Sequence, residues 1–299
     1  MTVSAPPRPS QALALAAMPG LFVLLWSTGF IGAKLGLPYV EPMTFLVLRF
    51  GIVTVLLTGF AALTRAPWPR DLKQAGHIAL AGLLLQAAYL GGVFASIFHG
   101  VPAGISALIV GIQPLLVAAA AGPVLGERVS LRQWAGLALG LAGVVAVVWS
   151  KLDLGIGTPL GYALSVFALL GITIGTLYQK KFCPHIDLRS GTAIQFAAST
   201  VALAPFALLF ESRQIIWSGE FIFALGWLCI VLSLGAISLL FILIRRGAAA
   251  TVSSLFFLVP PCTALVAYFL FGETLSLPAL VGMAATVAGV AIVNRAAKA

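Results

Sequence analysis

Long apolar runs separated by short polar breaks fill the sequence from residue 18 to residue 294. Each run is close to the roughly 20 residues that an α-helix needs to cross the hydrocarbon core of a bilayer. The pattern therefore predicts ten membrane-spanning helices, at 18–36, 42–64, 74–98, 101–125, 131–149, 159–178, 190–210, 221–244, 247–271 and 277–294.

The second half of the chain repeats the first half at an offset of 146 residues. The stretches 103–147 and 249–293 align without a gap, with Pro114 over Pro260. Each repeat holds five predicted helices, an odd number, so the second copy must enter the membrane from the opposite side. The sequence thus predicts an all-α integral membrane protein made of two inverted five-helix repeats, at 13–150 and 158–296, after a disordered cytoplasmic tail at 1–12.

Composition and charge place the chain in a membrane and orient it. The chain is 61% hydrophobic and 8% charged, whereas a soluble protein has roughly 25% charged residues. Short cytoplasmic loops carry an excess of Lys and Arg. With the N-terminus inside, the outer loops hold only Lys151 and Arg213. The inner segments hold thirteen basic residues: Arg8, Arg65, Arg70, Lys73, Arg128, Arg132, Lys180, Lys181, Arg189, Arg245, Arg246, Arg295 and Lys298.

This asymmetry predicts a multi-pass protein of the inner (plasma) membrane with both termini in the cytoplasm. The net charge of +9 is then an orientation signal and does not indicate nucleic-acid binding. All eight acidic residues fall in loops or at helix ends. Because proton-coupled transporters commonly use a buried carboxylate, the sequence favours a facilitator. The three cysteines have no metal-ligand spacing, and no metal or other cofactor is expected.

Pro114 and Pro260 lie near the middles of the fourth and ninth predicted helices. Each removes one backbone hydrogen bond and pushes on the preceding turn. One such proline is usually a tolerated kink, but an interrupted helix at equivalent positions of two repeats points to a transporter's substrate site and hinges. The symmetry therefore favours hinges.

Two repeated sets of polar residues lie at helix ends. Gly126-Glu127 and Gly272-Glu273 are interpreted as tight corners, each followed by a serine, Ser130 or Ser276, that caps the next helix. Lys34 and its repeat equivalent Lys180 are interpreted as anchors of helix ends.

Arg49 lies about seven residues into the second helix from the outside, or roughly 10 Å at about 1.5 Å per residue. It can snorkel outward, pair with Glu41, or bind a substrate carboxylate. Its repeat equivalent is Gln195, so symmetric packing does not demand a cation here. Near-midplane polar and aromatic residues are further candidates for substrate binding, although each alone is more often a packing contact: Trp26, Gln86, Tyr89, Gln113 and Thr173.

The chain resembles the drug/metabolite transporter superfamily, and within it the ten-helix EamA-type exporters. The matching residues are Trp26-Ser27-Thr28-Gly29-Phe30 with Lys34, Leu48-Arg49-Phe50, and the two blocks that run from the proline to Gly-Glu and the following Gly-rich helix. The resemblance implies two inverted repeats around a central cavity, gating kinks at Pro114 and Pro260, and export of metabolites. The branch that exports aromatic amino acids is the most similar.

We therefore expect an exporter of amino acids with aromatic or other bulky apolar side chains, working by alternating access. Its partners would be a small-molecule substrate and the lipid bilayer; the oligomeric state is left open, a monomer included. A proton-coupled exporter of drugs or other metabolites and a membrane receptor or assembly subunit remain alternatives. An intramembrane enzyme would need a nucleophile with a base, or a metal cluster, at one depth, and the sequence places neither there.

Overall fold

The computed structural model describes residues 9–149, 157–271 and 275–297. The described residues form ten helices that are long and apolar enough to cross a membrane, as predicted. We label them α1 to α10 in chain order: Pro9–Gly36, Pro42–Leu63, Leu72–Phe98, Ala103–Leu125, Leu131–Val148, Pro159–Phe182, Leu188–Phe210, Gly219–Arg246, Ala249–Phe271 and Leu277–Ala296. The first helix begins inside the segment 1–12 that was predicted to be a tail.

Side-chain caps set most of the helix starts. Ser130 forms a capping box with Gln133 at the start of α5, and Ser276 accepts a hydrogen bond from Ala279 N at the start of α10. Both predicted serine caps are thus confirmed. Gly126 ends α4 with φ of 72°, in the left-handed region where glycine carries no steric penalty. Residues 272–274, including the predicted corner at Glu273, lie outside the described residues.

Helices α5 and α10 are repeat equivalents, and they cross in close contact through glycines. A Cβ atom on Gly136 would lie 2.7 Å from the carbonyl oxygen of Gly289, and one on Gly143 would lie 2.6 Å from that of Gly282. As α5 is followed from 136 to 143, its partners on α10 run from 289 to 282. The two equivalent helices are therefore antiparallel, and backbone touches backbone where they cross.

Helices α2 and α7 form the second pair of equivalents. Phe50 and Phe196, which occupy the same repeat position, contact each other with ring centroids 5.3 Å apart. At one end, Thr44 N donates to Glu211 at 2.6 Å; at the other, Arg189 Nη1 reaches Thr64 O at 3.5 Å. This pair is also antiparallel, which is the arrangement that an inverted duplication requires.

Helices α3 and α8 each contain a π-helical segment, at Leu83–Ala88 and Leu228–Ala236. Shifted by the repeat offset, the first segment falls inside the second. Such segments widen the helix by one residue per turn and are frequent at functional sites. The apolar pattern did not predict them, and they place Gln86 and Ser233 in the interior of the protein.

The close glycine contact between α5 and α10 predicts that two glycine-to-alanine substitutions change the free energy of unfolding in opposite directions. Gly51 on α2 has open space where a Cβ would stand, so Gly51→Ala should stabilise the fold by about 0.5 to 1 kcal/mol. Gly143→Ala should instead destabilise it by about 1 to 3 kcal/mol, because backbone atoms of α10 must move. Thermal unfolding of the purified variants in detergent measures both, and equal stabilisation by the two would contradict the packing described.

Candidate functional site

A small cavity lies among helices of both halves. Its lining consists of Trp26, Gly29 and Ala33 from α1, Arg49 from α2, Tyr89, Leu90, Val93 and Phe94 from α3, and Leu232 and Ile237 from α8. The cavity volume is about 30 Å³. That is room for two or three water molecules, at about 10 to 15 Å³ each, and far less than an amino acid occupies.

Aromatic rings form one wall of this cavity. The rings of Trp26 and Tyr89 are nearly parallel, 9° apart, with centroids separated by 6.5 Å. The ring of Phe256 on α9 meets Trp26 edge-on, at 5.3 Å and 85°. Offset-parallel and edge-on pairs are the favoured aromatic arrangements. Trp26 therefore links the cavity to the irregular part of α9.

Arg49 is fully buried and lines the same cavity. Its Nε and Nη2 atoms donate to the Ser233 hydroxyl oxygen at 3.1 and 3.0 Å, and this hydroxyl donates to Leu228 O at 3.0 Å. The last bond spans five residues, within the π-helical segment of α8. The Ser233 hydroxyl thus donates its proton to the backbone, and its oxygen lone pairs accept hydrogen bonds from the guanidinium.

The structure contradicts two of the roles that were open for Arg49. It does not snorkel outward, because it is buried among α1, α3 and α8. It does not pair with Glu41, whose carboxylate instead accepts hydrogen bonds from Ser212 N at 2.6 Å and Ser212 Oγ at 2.5 Å. These bonds hold the pKa of Glu41 below its ordinary value, so Glu41 stays ionised away from Arg49. Sequence reasoning had no means of finding Ser233, 184 residues away.

Gln113 belongs to a second polar cluster, outside the cavity lining. Its Nε2 atom donates to Ser253 Oγ at 3.2 Å and to Thr176 Oγ1 at 3.5 Å, which joins α4 to α9 and α6. Its Oε1 atom is buried and has no hydrogen-bond partner in the part of the chain that the structure describes. Buried polar atoms are normally paired, so an unpaired one needs an explanation.

Gln86 and Thr173 also lie outside the cavity lining as it stands. Gln86 is buried in the π-helical segment of α3, and its Oε1 atom has no partner among the described residues. The Thr173 hydroxyl donates to Leu169 O of its own helix at 2.6 Å. Of the six predicted binding residues, the structure therefore brings Trp26, Arg49 and Tyr89 together and leaves the other three apart.

The helices that carry the two prolines are irregular just before them. In α4 the regular helix stops at Val110 and resumes at Gln113, and Ile112 N bonds Ile109 O at 3.1 Å, three residues back. In α9 a 3₁₀ turn, Leu255–Leu258, precedes Pro260. Both breaks fall at equivalent repeat positions, one turn ahead of the residue that cannot donate a backbone hydrogen bond.

A further polar contact joins α6, the corner after α4, and the start of α9. Lys180 Nζ lies 2.5 Å from a carboxylate oxygen of Glu127 and also donates to Gly247 O. The other Glu127 oxygen accepts from Ala249 N at 2.8 Å, at the positive end of α9. We call this contact the Lys180 latch.

The sequence interpretation gave Glu127 only a corner role and Lys180 only an anchor role. The signal that could have revealed the latch is the repetition itself, because a lysine and a glutamate each recur at the offset of 146 residues. The side chain of the equivalent Lys34 and residue Glu273 lie outside what the structure describes.

The opposite ends of the helices are joined by the loops after α1 and α7. The Glu211 carboxylate accepts from Met43 N at 2.7 Å and from both the backbone and the hydroxyl of Thr44, at 2.6 and 2.7 Å. A carboxylate here caps the start of α2 and interacts favourably with its dipole. Tyr39 Oη donates to Glu220 at 2.7 Å. Polar contacts thus tie the two halves together at both ends of the bundle.

Comparisons with known proteins agree on one family. Residues 14–149 and 159–295 each match the model of the EamA-like transporter family. The chain is 30% identical over 295 residues to the uncharacterized transporter YvbV of Bacillus subtilis, covering 98% of this chain and 94% of that protein. It is 27% identical over 253 residues to the uncharacterized inner membrane transporter YedA of Escherichia coli, with coverage of 85% and 81%.

A third relative carries a more specific name. The chain is 26% identical over 281 residues to a probable amino-acid metabolite efflux pump of Salmonella typhimurium, covering 91% of this chain and 92% of that protein. Among solved structures, one crystal structure matches with a TM-score of 0.78 and 21% identity, over 94% of this chain and 96% of the other. At that identity the likeness supports the fold alone.

Proposed function

We propose that this chain, which belongs to the EamA-like transporter family, exports amino acids with aromatic or other bulky apolar side chains. The protein is a multi-pass membrane transporter, and its substrate is a small molecule. One observation carries the choice of substrate. A buried cation, Arg49, and two parallel aromatic rings, Trp26 and Tyr89, line one cavity whose other walls are apolar.

Each part of the cavity suits one part of such a substrate. A guanidinium binds a carboxylate through two parallel hydrogen bonds. Aromatic and aliphatic side chains would contact the apolar side chain of the substrate, while a few polar groups fix its orientation. The name of the Salmonella typhimurium relative, a probable amino-acid metabolite efflux pump, is in line with this substrate class.

The cavity must widen to admit an amino acid, and we propose that α4 and α9 move to allow this. Both helices are already irregular ahead of Pro114 and Pro260. Gln113 lies beside the first break and Gln86 in the neighbouring α3, and the carbonyl oxygen of each has no partner among the described residues. We infer that these amides, with Thr173 on α6, face the substrate once the cavity widens.

We further propose a facilitator, located in the inner membrane with both termini in the cytoplasm. The acidic residues described above are engaged at helix ends, Glu127 with Lys180 and Glu211 with Thr44. None of the described residues that line the cavity is acidic. Export would then be driven by the substrate gradient.

Transport by purified protein in liposomes tests the substrate and the coupling together. We expect labelled phenylalanine to leave loaded liposomes faster than it leaves protein-free ones, with no uphill accumulation under an imposed pH gradient. Trp26→Ala should slow this efflux by roughly twofold to tenfold, since an aromatic contact contributes about 0.5 to 1.5 kcal/mol. The exposed Trp68 gives the matched control, Trp68→Ala.

Two results would count against the proposal. Efflux no faster than from protein-free liposomes for any amino acid would exclude the substrate class. Accumulation against the phenylalanine gradient, driven by the pH gradient, would exclude the facilitator and favour a proton-coupled exporter.

The hinge proposal predicts that Pro114→Ala slows transport without loss of stability. Alanine restores a backbone N–H donor and lets α4 run straight through the break. The control is Pro123→Ala, in the last turn of the same helix, which should leave the rate unchanged. Pro260→Ala should have a smaller effect, because Pro261 still interrupts α9. Initial efflux rates and thermal unfolding measure the two effects, and an unchanged rate in Pro114→Ala would refute the hinge.

A further inference from the structure

We propose that the cavity recognises its substrate by the carboxylate and the apolar body, and not by the ammonium group. The protein should therefore also carry aromatic and bulky aliphatic monocarboxylic acids that have no amino group. This inference rests on the function proposed above, since it assigns the same cavity to the substrate. It goes further by widening the substrate class from amino acids to carboxylic acids in general.

The first step is that Arg49 is a buried cation with no counter-ion among the described residues. It is 0% exposed, and the described part of the chain supplies no carboxylate within ion-pair distance of it. Breaking a buried ion pair by removing one partner is strongly destabilising, so an interior cation normally keeps its anion. None of the described residues supplies this anion, and a substrate carboxylate would do so.

The second step is that part of the guanidinium remains unused. A guanidinium has five N–H donors. Among the described residues, only the Ser233 hydroxyl accepts hydrogen bonds from these donors, one from Nε and one from Nη2. The other N–H groups of Arg49 have no hydrogen-bond partner among the described residues, and Arg49 lines the cavity together with Trp26 and Tyr89. A carboxylate bound in the cavity would accept from them.

The third step is that packing does not require a cation at this position. The equivalent residue on α7 is Gln195, whose Nε2 atom donates to Gln179 Oε1 at 2.8 Å. Both Arg49 and Gln195 are fully buried. One fold therefore holds a neutral amide at one copy of the site and a cation at the other, and the difference needs a functional reason.

The fourth step is that none of the described residues lining the cavity is an acid that could pair with the ammonium group. Glu41 at the start of α2 and Glu211 at the end of α7 are bonded to Ser212 and Thr44. Among the described residues that line the cavity, an ammonium would find no carboxylate and would lie near the positive charge of Arg49. Because a buried charge must be paired to offset its desolvation, removing the amino group should not weaken binding.

The apolar side chains that line the cavity restrict the class of substrates further. Leu90, Val93, Phe94, Leu232 and Ile237 surround Arg49 and the two rings with apolar surface. A second carboxylate on the substrate would be buried against these side chains without a partner. Small dicarboxylates should accordingly be rejected, and acids with one carboxylate and a bulky apolar body should be accepted.

Competition against labelled phenylalanine counterflow in proteoliposomes tests the inference with four compounds. 3-Phenylpropanoate lacks only the amino group of phenylalanine, phenethylamine lacks only the carboxylate, phenylalaninamide has the carboxylate neutralised, and succinate has two carboxylates. We expect 3-phenylpropanoate to compete within about tenfold of unlabelled phenylalanine. The two amines and succinate should fail to compete at a hundredfold higher concentration.

Two variants tie the selectivity to Arg49. Arg49→Gln copies the residue of the second repeat, and it should weaken competition by phenylalanine and by 3-phenylpropanoate on the order of tenfold to a hundredfold, the value of hydrogen bonds to a charged group. Arg132→Gln, at an exposed position on α5, is the control and should change nothing. If Arg49→Gln does not yield folded protein, Arg49→Lys takes its place, because lysine keeps the charge but lacks the planar guanidinium. Competition by the two carboxylates should then be weaker than in the unaltered protein but stronger than expected for Arg49→Gln.

The outcomes separate this inference from the proposed function. If phenylalanine is transported but 3-phenylpropanoate does not compete, the inference is overturned and the proposed function still stands. The same conclusion follows if phenethylamine competes as well as 3-phenylpropanoate does. If labelled 3-phenylpropanoate shows counterflow at pH 8 faster than in protein-free liposomes, and no amino acid does, the inference is upheld and the proposed function is overturned. Unchanged carboxylate competition in Arg49→Gln overturns the role of Arg49.

Discussion

The hydrogen bonds between Arg49 and Ser233 join the two halves of the chain in the buried interior of the bundle. A charged group in the interior of a membrane protein must be satisfied by the protein or by its ligand. Ser233 can accept from Arg49 because its proton is used on Leu228 O, and this bond exists because α8 is π-helical there. The irregular turn, the buried cation and the cavity therefore depend on one another.

The polar contacts at the two ends of the bundle have a consequence for movement. The Lys180 latch fixes the start of α9 to the corner after α4, and Glu211 fixes the start of α2 to the end of α7. Because these contacts join the two halves, a rocking motion between the halves must break one set. A cavity with room for two or three water molecules fits a state in which both sets are formed. We propose that the bundle bends at the breaks before Pro114 and Pro260, where the helices are already irregular.

The sequence predicted what depends on composition and local order. Ten helices followed from apolar length, and the serine caps at Ser130 and Ser276 followed from local hydrogen bonding. It could not predict the π-helical segments, because a widened turn leaves the apolar pattern unchanged. It also could not choose a partner for Arg49, since charge alone pointed to Glu41, whereas the partner is a serine made available by irregular backbone. Long-range contacts of uncharged groups leave no trace in one sequence.

Photo-crosslinking tests most directly whether the substrate occupies the cavity among α1, α2, α3 and α8. A diazirine-bearing phenylalanine would be irradiated with the protein in liposomes, and the labelled peptides would be mapped by mass spectrometry. We expect labels on cavity residues such as Trp26, Tyr89 and Leu232, and we expect excess phenylalanine to remove them. Labels confined to exposed apolar side chains, such as Phe206 and Phe210, and unaffected by phenylalanine would contradict the account.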